Sequence, residues 1–194
     1  MSKVLQWFAD ARSNRLFALT LAVALGVIFV DQATKLWILH GLELPSQRGR
    51  TIDLSPVFDL TYVENRGVSF GLFAGGHASR ILLSILAIGV AGFVLHWAGR
   101  LDRRVAAIGA GFIVGGALGN AYDRVAYGFV VEFFDFYCLY LPLVFNSADV
   151  AVNFWVAFLS YDAFVVMPKR EASEESVENQ QKNPVGGVRP PPHR

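Results

Sequence analysis

Charge is scarce in this chain, and cysteine is nearly absent. Only 17% of its 194 residues are charged, while 54% are hydrophobic; a soluble domain carries about a quarter charged residues. Mean hydropathy is +0.41. The shortage of charge argues against an ordinary soluble domain and for an integral membrane protein. A basic excess is also missing: 17 Lys and Arg stand against 16 Asp and Glu, for a net charge of +1. No basic stripe alternates with aromatic residues, so a nucleic-acid partner is excluded. The single cysteine, Cys138, permits no intramolecular disulfide and reads as a packing residue. No clustered Cys and His residues suggest a metal site, and no internal repeat is evident.

What is abundant is long apolar sequence. A bilayer core takes about 20 mostly apolar helical residues, and four stretches fit: Leu16 to Leu39, Ile81 to Trp97, Val105 to Ala121 and Val144 to Met167. The first follows basic residues, as a secretory signal peptide would. It is too long for one, however, and holds Asp31, Gln32 and Lys35 in place of a small-residue cleavage site, so it reads as a retained helix. Lys3, Arg12 and Arg15 precede this span, Arg100, Arg103 and Arg104 fill the second connection, and Lys169 and Arg170 follow the last span. The positive-inside rule then predicts cytoplasmic termini and two outward loops, His40 to Ser79 and Tyr122 to Leu143. Arg48, Arg50 and Arg80 run against the pattern.

The first outward loop contains VFDLTYVENRGVSFGLF (57–73), whose aromatic and β-branched residues with glycine predict short strands. Residues 171–194, EASEESVENQQKNPVGGVRPPPHR, are polar and Pro-rich, which predicts a disordered cytoplasmic tail after a membrane domain at 1–170. The expected fold is therefore an all-α polytopic membrane protein of four transmembrane helices carrying a small extracytoplasmic sheet.

Polar residues gather at one depth. Asp31 and Lys35 are spaced i, i+4 on one helix face, and at 1.5 Å per residue Asp31 lies about 22 Å along its helix. On the same side of the membrane the third span ends with Asn120, Asp123 and Arg124, and the fourth begins with Asn146 and Asp149. Ionisable groups in a bilayer cost several kcal/mol unless paired, which makes them functional-site candidates. Each pair also has a plain structural reading: Asp31 with Lys35, and Asp123 with Arg124 at the interface. The glycines from Gly109 to Gly119, Gly116 among them, predict close helix packing.

Four blocks, FVDQATKLW around Asp31, TYVENRGVSFG around Asn65, GGALGNAYDR around Asn120 and VFNSAD ending at Asp149, resemble in order and spacing the signature blocks of the lipoprotein signal peptidase (signal peptidase II) family. The resemblance implies an aspartyl endopeptidase of the bacterial cytoplasmic membrane, monomeric and in contact with membrane lipids. It would cleave before the diacylglyceryl-modified cysteine of a prolipoprotein, near the outer leaflet, with no cofactor or metal. It also implies a β-cradle beside the four spans.

The chemistry implied is two carboxyl groups sharing a proton, one drawing a proton from water and the other polarising the scissile carbonyl. Asp149 matches one family aspartate. The other falls in GFVVEFFDFY (128–137), where Glu132 stands instead of aspartate. Its extra methylene displaces the carboxyl by roughly an ångström, a misplacement that can cost about a hundredfold in rate. Three alternatives stay open: Glu132 is the partner, Asp135 replaces it, or the chain is a catalytically impaired homologue that binds lipoprotein or lipid. By resemblance Asp31 and Lys35 support the site, Asn65 orients substrate, Gly116 allows close helix contact, and Asn120, Arg124 and Asn146 hold the dyad and substrate in hydrogen bonds. Asp123 reads as a local pairing residue, and Asn153 as a polar or packing residue. A proton or ion transporter using Asp31, Lys35 and Asp149 as a relay is the remaining rival. Against it, the inner half of the spans is apolar apart from Asp162.

Overall fold

The computed structural model describes residues 14–67, 76–136 and 144–161, with the single positions 164, 168, 173, 175 and 176. Cys138, Asp162, Lys169 and Arg170, the start of the N-terminus and most of the expected tail lie outside the described residues. The chain divides into two units, Met1–Trp155 and Val156–Arg194. The first holds every strand among the described residues and the site considered below.

Helix α1 is Arg15–Leu36, prolonged by a π-helical turn over Trp37–Gly41. Asn14 caps it: Oδ1 accepts from the Leu16 N–H at 2.9 Å, while Nδ2 donates to the Leu101 carbonyl at 3.2 Å. Strands β1 (Thr51–Ser55) and β2 (Phe58–Asn65) follow, then α2 (His77–Ala98), α3 (Arg104–Ala126), β3 (Val130–Asp135), β4 (Val144–Phe145) and α4 (Ser147–Tyr161). The strands form one antiparallel sheet in the order β1-β2-β3-β4. Helices α1, α2 and α3 are long and apolar enough to cross a membrane. The molecule is thus mostly helical, with a small sheet at the end where α1 and α3 finish and α2 and α4 begin.

Several span ends differ from expectation for local reasons. Helix α2 starts at His77, after Gly76 at φ 101, so the polar residues before Ile81 form its first turn. Helix α3 runs to Ala126 instead of stopping at Ala121: Asn120 is followed at i+3 and i+4 by Asp123 and Arg124, so the helix carries its polar residues with it. Val144 and Phe145 are a strand, and α4 begins only at Ser147. Asn146 and Asp149 set that start through a reciprocal exchange, the Asp149 N–H donating to Asn146 Oδ1 at 2.9 Å and the Asn146 N–H to Asp149 Oδ2 at 3.3 Å.

Glycine brings the helices close. A Cβ on Gly111 or Gly115 would lie 2.7 Å from the Thr20 or Ala24 carbonyl oxygen of α1, and one on Gly116 would lie 2.8 Å from the Ala148 carbonyl of α4. Helix α3 therefore packs on α1 along one glycine edge and on α4 along another. Buried Thr20 adds a hydrogen bond from Oγ1 to the Ala107 carbonyl at 3.0 Å, the kind of interhelical contact that lipid cannot supply. Ala24, Ala91, Val94, Ala110 and Val114 fill the core among the three helices, and Ile38, Leu44, Leu60, Val131 and Phe133 form a second core beneath the sheet. Large apolar side chains such as Leu25, Phe29, Ile85, Leu86 and Phe93 face outward, as a lipid solvent requires.

Gly115→Ala should lower the midpoint of thermal unfolding in detergent, by an amount equivalent to about 1–3 kcal/mol of overpacking. Gly92→Ala, where a Cβ meets nothing within 4 Å, should leave the midpoint unchanged or raise it slightly.

Candidate active site

The polar residues that the sequence scatters over four segments meet where the helices join the sheet. At the centre is Lys35, 1% exposed, with its ammonium 2.7 Å from Asp31 Oδ2 and 2.7 Å from Asp123 Oδ2. Both carboxylates are wholly buried. Two buried carboxylates around one ammonium are tolerable only if the other lone pairs are also used, and they are. Asp31 Oδ1 accepts from Ser147 Oγ at 2.9 Å and from the Ala148 N–H at 3.1 Å. Asp123 accepts from Gln32 Nε2 at 2.9 Å and from the Val131 N–H at 3.2 Å. Gln32 Nε2 also lies 3.1 Å from Asp31 Oδ2.

Beside this cluster is a cavity of about 180 Å³, lined by Asn65, Gly67, Asn120, Arg124, Val130, Glu132, Val144, Phe145, Asp149 and Asn153. Glu132 reaches it from β3 and Asp149 from the first turn of α4. Asn120 Nδ2 donates to Asp149 Oδ1 at 2.8 Å. Asn146 Nδ2 in turn donates to Asn120 Oδ1 at 3.0 Å and to the Val131 carbonyl at 3.2 Å. Asn65 Nδ2 donates to Glu132 Oε1 at 2.5 Å, and its own Oδ1 accepts from the Gly67 N–H at 2.9 Å. The Arg124 guanidinium donates to the Gly67 carbonyl at 3.3 Å and to the Asn120 carbonyl at 3.4 Å.

Burial pushes the Glu132 carboxyl up to about 7, because water is withdrawn from its charged form. The Asn65 hydrogen bond and the positive charges of Arg124 and Lys35 pull the other way, while Asp149 adds to the rise. Near neutral pH this carboxyl is therefore poised between its protonated and ionised forms, as a group that exchanges protons should be. Among the described residues no cluster of three or more His, Cys, Asp or Glu could hold a metal ion.

The structure thus brings Asn65, Asn120, Arg124, Glu132 and Asp149 to one cavity, with Asp31, Lys35 and Asn146 behind it. Gly116 lies against Ala148 and Val152, where α3 passes the first turns of α4. Asp135 does not line the cavity: it stands three residues past Glu132 on β3, paired with Val144 and Asp59, on the other face of the sheet. Asp123, read from the sequence as a local pairing residue, pairs across the helices with Lys35. The sequence reading gave no role to Ser147 or to the Gln32 amide. Gln32 was within reach, since it directly follows Asp31. Ser147 had no signal, because its contact with Asp31 crosses most of the chain.

A family model described as Signal peptidase (SPase) II matches residues 23–165. A protein named lipoprotein signal peptidase from Rhodopseudomonas palustris is 40% identical over 161 residues, covering 78% of this chain and 96% of that protein. One from Gloeothece citriformis is 39% identical over 166 residues, covering 85% and 97%. One from Shewanella baltica is 34% identical over 160 residues, covering 80% and 91%. A solved structure described as a bacterial membrane enzyme superposes with a TM-score of 0.64 at 23% identity, covering 75% of this chain and 92% of that one. A second, similarly described, gives a TM-score of 0.63 at 24% identity, covering 75% and 89%.

Because the Glu132 carboxyl sits at about 7 in the folded chain against an ordinary 4.5, the native state holds a proton that the unfolded chain has released between those values. Stability is then full below the ordinary value and falls as pH rises toward 7. Glu132→Gln should raise thermal stability at pH 8, by at most about 3 kcal/mol, and leave it unchanged at pH 4. A stability difference independent of pH would contradict this account of the carboxyl.

Proposed function

This chain belongs to the signal peptidase II family, membrane proteases that remove signal peptides from prolipoproteins, and we propose that it does so as an aspartic-type endopeptidase whose reacting pair is Glu132 and Asp149. The observation that carries this reading is their convergence, from a strand and a helix start, on one cavity whose remaining polar lining is amide and guanidinium. No hydroxyl or thiol nucleophile is needed, because two carboxyl groups of unlike protonation can activate water directly.

The roles follow from the environments. Asp149 accepts N–H bonds from the Asn120 side chain and the Asn146 backbone, which fix its oxygens at the cavity wall, and we assign it the role of base. Glu132, raised by burial, serves as the acid. Water gives a proton to Asp149 and adds to the scissile carbonyl carbon, while Glu132 passes its proton to the carbonyl oxygen. As the tetrahedral species collapses, the C–N bond breaks, Asp149 returns its proton to the leaving amine, and the diol hydroxyl reprotonates Glu132. Asn65 keeps Glu132 aimed into the cavity. Arg124, donating to carbonyls of two segments, holds the wall opposite. Asp135, on the far sheet face, takes no part.

The substrate carries a diacylglyceryl cysteine, cleavage falls before that residue, and the lipid stays in the membrane beside the cavity. The working unit is a monomer with a membrane domain over 1–170, whose last apolar run in the sequence is the fourth span, and a cytoplasmic tail over 171–194. Both termini face the cytoplasm of a bacterial inner membrane, with the cavity near the outer leaflet. The basic residues flanking the spans and the position of the sheet at the opposite end support this orientation. One observation favours a second reading, a lipoprotein-binding homologue of impaired activity: glutamate at 132 where the family pattern has aspartate.

A mass-resolved assay on a diacylglyceryl-modified prolipoprotein peptide in detergent decides between them. Cleavage before the lipidated cysteine is expected. Glu132→Gln and Asp149→Asn should each lower it by about 10³-fold or more, Asp135→Asn should leave it within about twofold, and Glu132→Asp should retain or raise it. Cleavage that appears only in Glu132→Asp would establish the impaired homologue.

A further inference from the structure

Asp123 touches neither proposed reacting carboxyl, yet its contacts lead toward both. Its Oδ2 accepts the Val131 N–H, on the residue immediately before Glu132. In an extended strand the N–H and C=O of one residue point to the same side. Val131 stands opposite Glu64 of β2 in the register, but its N–H and C=O point away from that strand, toward Asp123 and Asn146. Strand β4 would be the natural partner, but it pairs only with Phe134 and Asp135 and stops short of Val131. Two side chains replace the missing strand: Asp123 takes the Val131 N–H at 3.2 Å, and Asn146 Nδ2 donates to the Val131 carbonyl at 3.2 Å. The sheet edge next to Glu132 is thus held from α3.

The anchor itself is clamped. Lys35 pins Asp123 Oδ2 at 2.7 Å, and the same ammonium pins Asp31 at 2.7 Å. Asp31 then holds the Ala148 N–H at 3.1 Å, one residue before Asp149. A strut therefore runs from the residue before one carboxyl to the residue before the other, through Asp123, Lys35 and Asp31, all within 1% of complete burial.

We propose that Asp123 is a positioning residue for the reaction: its carboxylate stands in for a strand partner at Val131 and, braced by Lys35 and Asp31, sets where the Glu132 carboxyl lies relative to Asp149. The proposal rests on the reading of Glu132 and Asp149 as the reacting pair. It makes Asp123 important for the geometry of an oxygen atom and not for its charge. The distinction is testable, because Asn keeps an oxygen at the Val131 N–H and leaves Asp31 and Lys35 balanced one to one. Glu keeps the charge but moves the anchor by about an ångström, enough to cost about a hundredfold in rate.

The test measures kcat and KM of the full-length protein in detergent on the lipidated peptide, with thermal midpoints for each variant. Asp123→Ala and Asp123→Glu should lower kcat by about 10- to 100-fold with KM within about threefold, while Asp123→Asn should recover to within about tenfold of the parent. Wild-type kcat in Asp123→Glu with an inactive Asp123→Asn would make the residue a counterion and overturn the proposal. So would unchanged kcat in all three, a change confined to KM, or failure of even Asp123→Asn to fold. Glu132→Gln and Asp149→Asn in the same assay separate the premise: if either still cleaves, the reacting pair is wrong, whereas two dead variants beside a fully active Asp123→Glu would sink the positioning role alone.

Discussion

An ammonium group that cannot reach water must be surrounded by acceptors, and the rest of this site is arranged around Lys35 meeting that requirement. Asp31 lies one turn back on its own helix, and Asp123 comes from α3. Each carboxylate then has lone pairs left in a medium where an unsatisfied acceptor is costly, and each fills them from a different element, Asp31 from the start of α4 and Asp123 from β3. A buried ion cluster gains little stability over apolar packing. What it supplies is a fixed geometry, because moving any one of four elements would strand a charge.

That arrangement is possible only because α3 is unusually thin. A Cβ on Gly119 would lie 2.8 Å from Asp31 Oδ2, and Gly111, Gly115 and Gly116 meet neighbouring helix backbone as closely. With side chains at those positions the helices would stand apart, and Lys35 could not span from Asp31 to Asp123. Small residues on one helix thus control the placement of charges on the others. The cavity inherits its shape from the same contacts, since Gly116 sets the approach of the α4 turn that carries Asp149.

Much of this was legible beforehand. Apolar runs revealed the helices, β-branched and aromatic residues around Asn65 revealed strands, and the i, i+4 spacing of Asp31 and Lys35 announced an ion pair that the structure contains. Less visible was the partner of Asp123. Its sequence neighbour Arg124 looked sufficient, but adjacent helix residues point about 100° apart, so the two carry their charges to different places. The start of α4 was also misjudged: Val144 and Phe145 are apolar enough to continue a span, and only pairing with β3 makes them a strand. The exchange between Asn146 and Asp149 had the right spacing for a helix cap, yet hydropathy gives no weight to caps.

Composition and periodicity were enough to determine a helical membrane protein and which polar residues lie at one end, because burial of apolar surface in lipid and helical repeat are properties of local sequence; the family was legible only as a resemblance of four short blocks. Which carboxyl shares a cavity with Asp149 was decided by tertiary structure alone. Glu132 and Asp135 are both acids on one strand, and although the family-like register points to Glu132, the sequence left both open. The pleat turns them to opposite faces, and only the packing of α3 and α4 against one of those faces makes it a site.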